Sequence, residues 1–377
     1  MEIKDFVMPE IIEEKIIKPC ISIIVATHKA SPERQTDEPA VRHLVNDVML
    51  KLENRFSDYM SDISKKLENI IDEIDYLHND QGLGIFVSPD FSKLVKFSFP
   101  VTNKIHIGES FLLRELMYEQ QLNPAYYYLD ANPKIIRFFK GSGVNLEEIK
   151  NEFFPYRIID DYIYNKPSRG SSYSNSIKGT EKDKSIMKEI RFMSELKKVD
   201  NHLKKYLSHS MPLFISGTEK ATGYFSKISD NMSNVAGIID GNFSKGNNFL
   251  PVQKIYNEVM AWVNMKEDDM LDELSDAFGK RQVASGLEEV WHAAKNGLGL
   301  TLFVEKDFIS NAFFRKDDNL FSKFKPDDSG FTEIADAVDY IMAIVLSKNG
   351  GIHIVENNKL PEHDRIALRL RYRRSEN

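Results

Sequence analysis

The chain has 377 residues, of which 42% are hydrophobic and 28% charged, and it carries a formal net charge of -7 with a single cysteine. This length predicts two or three domains, and the absence of both a long apolar run and a signal-peptide pattern predicts a cytoplasmic protein. Cys20 alone cannot form an internal disulfide and falls short of a zinc or iron-sulfur ligand set.

Residues 1-123 predict a mixed α/β domain. A β-branched run predicts the first strand, and apolar residues at three- and four-residue spacing predict two amphipathic helices, the second with a buried stripe that ends at Leu77. The predicted elements are, in chain order, a strand over 20–28, helices over 41–56 and 63–77, strands over 82–87 and 94–99, and a helix over 111–121.

Residues 124-268 predict a second α/β domain that opens with a β-hairpin around residues 130–133. The Ser-rich loop 166-180 lacks apolar periodicity and predicts an exposed, mobile segment before a long helix. The buried stripe expected on that helix is Ile186, Ile190, Met193, Leu196, Val199, Leu203 and Leu207. Strands over 213–216 and 235–239 and a helix over 252–263 complete an alternating pattern.

Residues 269-377 predict a third α/β domain. The acidic stretch 266–273 is a plausible boundary before it. The predicted elements are a helix over 274–291, a strand over 300–304, a helix over 334–345, and strands over 351–356 and 365–372.

Positive charge is concentrated in residues 166–205, where eleven basic residues stand against five acidic ones. Such a patch on an acidic protein predicts contact with a polyanion, and the alternative is an ordinary solvated helix face. The candidate RNA-binding residues are Lys166, Arg169, Lys178, Lys197, Lys198, Lys204 and Lys205.

Catalytic signatures are missing from the sequence. No glycine-rich dinucleotide loop, phosphate-binding loop, nucleophile elbow or His-Glu-x-x-His motif occurs, so we expect no cofactor and no metal. His202 and His209 are seven residues apart on or near the long helix, and we interpret them as surface residues instead of metal ligands.

The order of elements resembles the archaeo-eukaryotic peptide-chain release factor and Pelota superfamily, in particular its bacterial release-factor-like branch. The resemblance spans nearly the whole chain. It is carried by residues 21–28 (Ile-Ser-Ile-Ile-Val-Ala-Thr-His), 82–88 (Gly-Leu-Gly-Ile-Phe-Val-Ser), 107–113 and 126–149, and by the closing strands 350–355 and 366–372. It implies three α/β domains, with an RNase H-like middle domain and a third domain that is a small mixed-sheet α/β sandwich.

Departures from the family pattern bear on activity. The release loop of the family carries Gly-Gly-Gln, where this chain has Arg169, Gly170, Ser171, Ser172 and Tyr173. The codon-reading Asn-Ile-Lys-Ser loop is also replaced, by residues 56–62 (Phe-Ser-Asp-Tyr-Met-Ser-Asp). The resemblance therefore implies binding to the ribosome or structured RNA without stop-codon reading. Peptidyl-tRNA hydrolysis on the ribosome is doubtful, and the degenerate loop Gly170, Ser171 and Ser172 supplies no confident catalytic residue.

Family members work with a translational GTPase bound through the third domain, and ribosome rescue or hibernation is a conceivable role here. Two alternatives remain open. An RNase H-like domain could be a metal-dependent nuclease with Asp130 and Asp240 as Mg²⁺ ligands, although both residues also suit turns. The chain could also be a non-catalytic protein-binding scaffold.

Overall fold

The computed structural model describes residues 19–53, 56–158, 177–207, 211–241, 252–315, 320–327 and 330–373, and the side chains of residues 177–185 and 240 are outside that description. The chain divides into two compact units. Unit 1 combines Met1–Leu122 with Glu267–Asn377, and unit 2 is Asn123–Lys266. Both units combine helices with β-sheets, which confirms the predicted mixed α/β class.

The N-terminal part of unit 1 is an antiparallel sheet with two helices packed on it. Its elements are β1 (Cys20–Ala26), α1 (Asp37–Glu53), α2 (Met60–Glu73), β2 (Gly82–Ser88), β3 (Phe91–Phe97), β4 (Lys104–Gly108) and α3 (Arg114–Leu122). The strand order is β3-β2-β1-β4. The central strands β1 and β2 are buried almost throughout, which accounts for their continuous apolar runs.

The apolar stripes of α1 and α2 pack against one face of this sheet, as their spacing predicts. Val41 and Val48 on α1 and Ile63 and Leu67 on α2 are fully or almost fully buried. The predicted end of the second stripe is wrong, because Leu77 is 68% exposed. Helix α2 ends at Glu73, and the chain leaves the helical path before Leu77 is reached.

Unit 2 contains a six-stranded mixed sheet between helices. Its elements are β5 (Ala125–Ala131), β6 (Ile135–Ser142), β7 (Asn145–Glu148), β8 (Tyr156–Arg157), α4 (Ile177–Leu203), β9 (Leu213–Gly217), α5 (Glu219–Ile228), β10 (Val235–Asp240) and α6 (Val252–Gly279). The order is β10-β9-β5-β6-β7, and β8 pairs with β6 beside β7. Strands β5, β9 and β10 are parallel, whereas β6, β7 and β8 are antiparallel to their partners.

Helices cover both faces of the unit 2 sheet. One face packs against α4 and α5 through Leu196, Val199 and Phe225, and the other packs against α6 through Ile255 and Val259. The buried stripe predicted on α4 is correct from Leu196 onward. The stripe is wrong earlier on the helix, where Ile186 and Ile190 are 47% and 56% exposed. The fully buried contacts of α4 begin at Leu196.

Helix α6 runs through the acidic stretch 266–273 that predicted a boundary, and the two units divide at Lys266 inside this helix. The helix predicted over 274–291 is instead the end of α6, a short strand and a separate helix. The interruption occurs at Arg281, whose φ of 58° is left-handed and cannot continue a right-handed helix.

The C-terminal part of unit 1 has two sheets. Its further elements are β11 (Val283–Ser285), α7 (Leu287–Lys295), β12 (Gly299–Glu305), β13 (Ala312–Arg315), β14 (Leu320–Ser322), β15 (Thr332–Ile334), α8 (Ala337–Ser347), β16 (Gly351–Val355) and β17 (Ile366–Leu370). The larger sheet has the order β11-β17-β12-β16 and is mixed, since β12 and β16 are parallel. The smaller sheet, β14-β13-β15, was not expected from the sequence.

The two parts of unit 1 share one hydrophobic core. Phe111, just before α3, and Leu116, on α3, are fully buried in the same cluster as Trp291 of α7 and Ile341 of α8. Division of the chain at 1-123, 124-268 and 269-377 stays a prediction, and so does the RNase H-like character of the middle part. Among the described residues, no helix is long and apolar enough to span a bilayer.

A buried polar cluster joins the same two parts. The Asp339 carboxylate accepts hydrogen bonds from the backbone N–H groups of Leu113 and Arg114 at 2.9 to 3.1 Å. The Arg114 guanidinium, whose side chain is 6% exposed, pairs with Asp336 at 2.9 Å and donates to the Phe308 carbonyl. Asp336 also caps the N-terminus of α8. We name Arg114, Asp336 and Asp339 the polar clamp.

The polar clamp predicts a pH-dependent stability. Burial, reinforced by the nearby Asp336 carboxylate and opposed by Arg114, raises the pKa of Asp339 from 3.8 to about 7. The folded protein therefore holds the Asp339 proton more tightly than the unfolded chain does. The stability that this supplies is fully present below the pKa of the unfolded chain, and it is lost as the pH rises through the pKa of the folded protein. Relative to an Asp339→Asn variant, the wild type should therefore lose unfolding free energy as the pH rises from about 4 to about 7, by on the order of 1 kcal/mol per pH unit. Urea unfolding of both proteins across this range checks the prediction, and parallel curves would contradict it.

Candidate nucleic-acid interface

Lys197 and Lys198 lie on α4, Lys204 and Lys205 lie in the turn that follows it, and we call these four residues the lysines of α4. Two of them converge on one carboxylate. Lys197 Nζ lies 3.0 Å from Asp230 Oδ1, and Lys204 Nζ lies 3.0 Å from Asp230 Oδ2. Lys197 also donates to the Ile228 carbonyl at 2.6 Å. Hydrogen bonds from the two lysines lower the pKa of Asp230, and Asp230 raises the pKa of Lys197. These two cations therefore hold α4 against the end of α5, and their charge is partly offset.

A buried carboxylate supports this arrangement. Asp200 on α4 is fully buried and accepts hydrogen bonds from the Asp230 backbone N–H at 3.0 Å and from the Asn231 side chain at 2.7 Å. Sequence reasoning missed the role of Asp200 and Asp230. The available signals were the polar turn Ser229-Asp230-Asn231 after an amphipathic helix and the three-residue spacing of Lys197 and Asp200.

The other two lysines are more available to a ligand. Lys198 pairs with Glu195 at 3.0 Å, one turn earlier on α4, and its side chain is 58% exposed. Lys205 is exposed, and in the described part of the chain it forms no ion pair with a carboxylate. An i,i+3 surface pair such as Lys198–Glu195 contributes only a few tenths of a kcal/mol, so a phosphate can compete for Lys198.

An aromatic stack adjoins these lysines. The rings of Phe153 and His202 are parallel to within 2°, with centroids 3.9 Å apart, and Phe153 also stacks on Tyr156 at 4.8 Å. Partial burial, together with the charge of Lys205, lowers the pKa of His202, so this ring is predominantly neutral at pH 7. The interpretation of His202 as a plain surface residue is therefore incomplete, because its ring packs against the segment before β8.

Several predicted site residues lie outside the described residues. These are Lys166, Arg169, Gly170, Ser171 and Ser172 of the degenerate loop. Lys178 lies in the first turn of α4, and its side chain is also outside the description. Their roles stay predictions.

The aspartates of the nuclease alternative occupy different register positions on the unit 2 sheet. Asp130 on β5 is level with Ser216 on β9, whereas Asp240 on β10 is level with Gly217, one residue further along. Asp130 is 3% exposed and lies 3.4 Å from the Ser216 hydroxyl, which is 2.6 Å from the hydroxyl of Tyr128. The described side chains include no group of three or more His, Cys, Asp or Glu that could hold a metal ion. Metal-dependent cleavage through Asp130 and Asp240 stays an untested alternative.

Residues 125–297 match the family model described as bacterial archaeo-eukaryotic release factor family 3. This match covers the β5–α6 region of unit 2, including α4 and its lysines, and continues to the end of α7. No curated protein matches the chain in sequence.

Solved structures similar to this chain include termination-like factors. Dom34 of S. cerevisiae, described as a translation termination-like factor involved in RNA quality control pathways and interacting with Hbs1, is 15% identical, covers 78% of this chain and 74% of its own, and has a TM-score of 0.38. Archaeal Pelota, from a model of ribosome-bound Pelota and ABCE1, is 14% identical over 75% of this chain and 73% of its own, with a TM-score of 0.40. The archaeal translation termination factor aRF1 is 14% identical over 94% and 92%, with a TM-score of 0.21. All these TM-scores are below 0.5, so these structures support no argument about this chain.

Proposed function

On the match of residues 125–297 to the family model, we propose that the chain is a member of the bacterial branch of the archaeo-eukaryotic release factor superfamily and a cytoplasmic protein that binds the ribosome or structured RNA. The proposed role is ribosome rescue or hibernation. It excludes stop-codon reading, since the codon-reading loop of the family is replaced, and it does not depend on peptidyl-tRNA hydrolysis.

The family match is the observation that carries this proposal, and the surface of α4 supports it. Lys198 on α4 and Lys205 in the turn after it are exposed cations, and the neighbouring surface includes a stacked aromatic pair. Exposed cations neutralise phosphates, and aromatic rings beside them are frequent in proteins that bind single-stranded nucleic acid. A purely protein-binding scaffold would not require this combination.

The proposed protein partner is a translational GTPase bound through residues 269-377. The family resemblance alone motivates this partner. We propose no membrane contact.

The lysines of α4 provide a direct test of RNA binding. Replacing Lys198 and Lys205 together with Glu should weaken binding to structured ribosomal RNA by about tenfold or more at about 100 mM salt, because two phosphate contacts become repulsive. It should also reduce the salt dependence of log K by about 0.7 to 0.9 per lost contact. Filter binding over a range of salt concentrations measures both quantities.

The matched control is Lys51→Glu with Lys65→Glu, which makes the same change in net charge at two exposed positions of α1 and α2 in unit 1. Equal losses in both double variants would show that only net charge matters and would remove α4 from the interface. Lys197 and Lys204 are less suitable for this test, since their replacement also removes the partners of Asp230.

A further inference from the structure

A groove of about 530 Å³ lies on unit 2 where strand β6 meets the edge strands β7 and β8. Strands β7 and β8 pair with different halves of β6, in the registers Phe139↔Glu148 and Ile135↔Arg157. The connection between β7 and β8 passes over the gap that separates the two pairings, and the groove lies there. Its volume is in the range of small-molecule sites.

Positive charge dominates the polar lining of the groove. Arg137, Lys150 and Arg157 contribute three cations, and Glu148 is the one carboxylate among its lining residues. Glu148 lies 3.8 Å from Arg137 and 3.6 Å from Lys150, both longer than a hydrogen bond. Arg157 is exposed and forms no ion pair within the described residues. The groove therefore carries a net positive charge that its own carboxylate offsets only partly.

The backbone that carries these cations is fixed by hydrogen bonds at both ends and in the middle. Ile149 N–H donates to the Phe138 carbonyl at 2.8 Å, and Ile158 N–H donates to the Lys134 carbonyl at 3.0 Å. Between them, the Asn151 side chain accepts from the backbone N–H groups of residues 153 and 154 at 2.8 Å. A groove held in this way loses little conformational entropy when a ligand binds.

The same segment joins the groove to α4. Phe153 stacks on His202, and the Tyr156 hydroxyl donates to Glu195, which also pairs with Lys198. The Asn151 side chain donates to the Tyr206 hydroxyl at 2.7 Å. The segment that lines the groove is thus held in place within unit 2 by its contacts with α4 and with the turn that follows it.

We infer that this groove binds the phosphate of a nucleotide, supplied either by a free nucleotide or by one unit of a single-stranded RNA. Planar guanidinium groups match the geometry of phosphate oxygens, and Lys150 adds a compact positive charge. The apolar part of the lining includes the partly exposed Ile135 and Pro155, which offer a surface for the sugar or base. Only the case in which RNA supplies the phosphate rests on the proposed function, because binding of a free nucleotide requires no ribosome.

The test is a titration of the full chain with AMP, by calorimetry, and with a fluorescently labelled single-stranded RNA of twelve nucleotides, by anisotropy. In an Arg157→Ala, Lys150→Ala variant, we expect binding of at least one of the two ligands to weaken by about tenfold or more. Lys140→Ala is the matched control, since Lys140 is an exposed residue of β6 that does not line the groove, and it should change affinity by less than about twofold. Arg157→Lys, which keeps the charge, should retain part of the affinity, and unchanged thermal unfolding confirms that the variants are folded.

The outcomes separate this inference from the proposed function. Loss of AMP binding in the groove variant supports a free nucleotide as the ligand. Loss of RNA binding alone supports single-stranded RNA as the ligand. If the wild type binds RNA and the groove variant binds AMP and RNA as tightly as the wild type does, the inference is overturned while the proposed function stands. If the wild type binds AMP through the groove but neither RNA nor ribosomes, the inference stands and the proposed function fails.

Discussion

Replacing Arg114 with alanine is expected to lower the free energy of unfolding of unit 1 by about 3–5 kcal/mol, because removing one partner of a buried ion pair leaves the other without compensation. The Arg114 side chain is 6% exposed, pairs with Asp336 at 2.9 Å and donates to the Phe308 carbonyl. Its loss also removes the side-chain link between α3 and Asp336 at the start of α8, whereas the hydrogen bonds from the Leu113 and Arg114 backbone to Asp339 remain.

Chemical denaturation followed by tryptophan fluorescence measures this effect. The chain has two tryptophans, and Trp291 is fully buried in the core of unit 1, so a Trp262→Phe background makes the signal specific for that unit. The control is Arg42→Ala, which removes an exposed i,i+4 pair with Glu38 and should cost about 0.5 kcal/mol or less. A loss at Arg114 no larger than this would show that the polar clamp does not hold the two parts of unit 1 together.

The second large effect concerns peptide release. We expect the wild type to release labelled peptide from ribosome-bound peptidyl-tRNA at least about a hundredfold more slowly than a Ser171→Gly, Ser172→Gln variant, which restores the Gly-Gly-Gln of the family. A serine hydroxyl lies closer to the backbone than a glutamine amide, and misplacement of a reacting group by about 1 Å can cost on the order of a hundredfold in rate. The assay is single-turnover release with purified ribosomes.

Ser171→Ala with Ser172→Ala is the control for this assay. It should match the wild type if neither hydroxyl positions water. Robust release by the wild type that disappears in the alanine variant would instead identify the serines as catalytic and would contradict the non-catalytic interpretation of the loop.

Local patterns predicted the central strands and their helices well. The β-branched run of β1 and the stripes of α1 and α2 are local signals, and the chain folds as they indicate. The stripe from Leu196 to Leu203 on α4 is buried for the same reason. The apolar periodicity predicted helices that run past their observed ends, as at Leu77 and Arg281. The position of a helix end also depends on backbone conformation and on contacts with distant residues, which periodicity does not report.

Long-range contacts were beyond sequence reasoning. Arg114 and Asp336 are 222 residues apart in the chain, and no spacing rule connects them. The lysines of α4 show the same limit, because the pattern predicted their charge but could not reveal that Asp230 offsets two of them. The groove at β6 also depends on how three strands pair, and the sequence alone contained no signal for it.

The most direct test of the account is co-sedimentation of the full chain with bacterial ribosomes through a sucrose cushion at about 100 mM and 400 mM salt. We expect the wild type to pellet with ribosomes at the lower salt and to be released at the higher salt, because phosphate contacts are lost as counterions compete. The Lys198→Glu, Lys205→Glu variant should remain largely in the supernatant at both concentrations, while the Lys51→Glu, Lys65→Glu control should follow the wild type. A wild type that stays in the supernatant at low salt, with ribosomes intact, would contradict the central claim that this chain binds the ribosome.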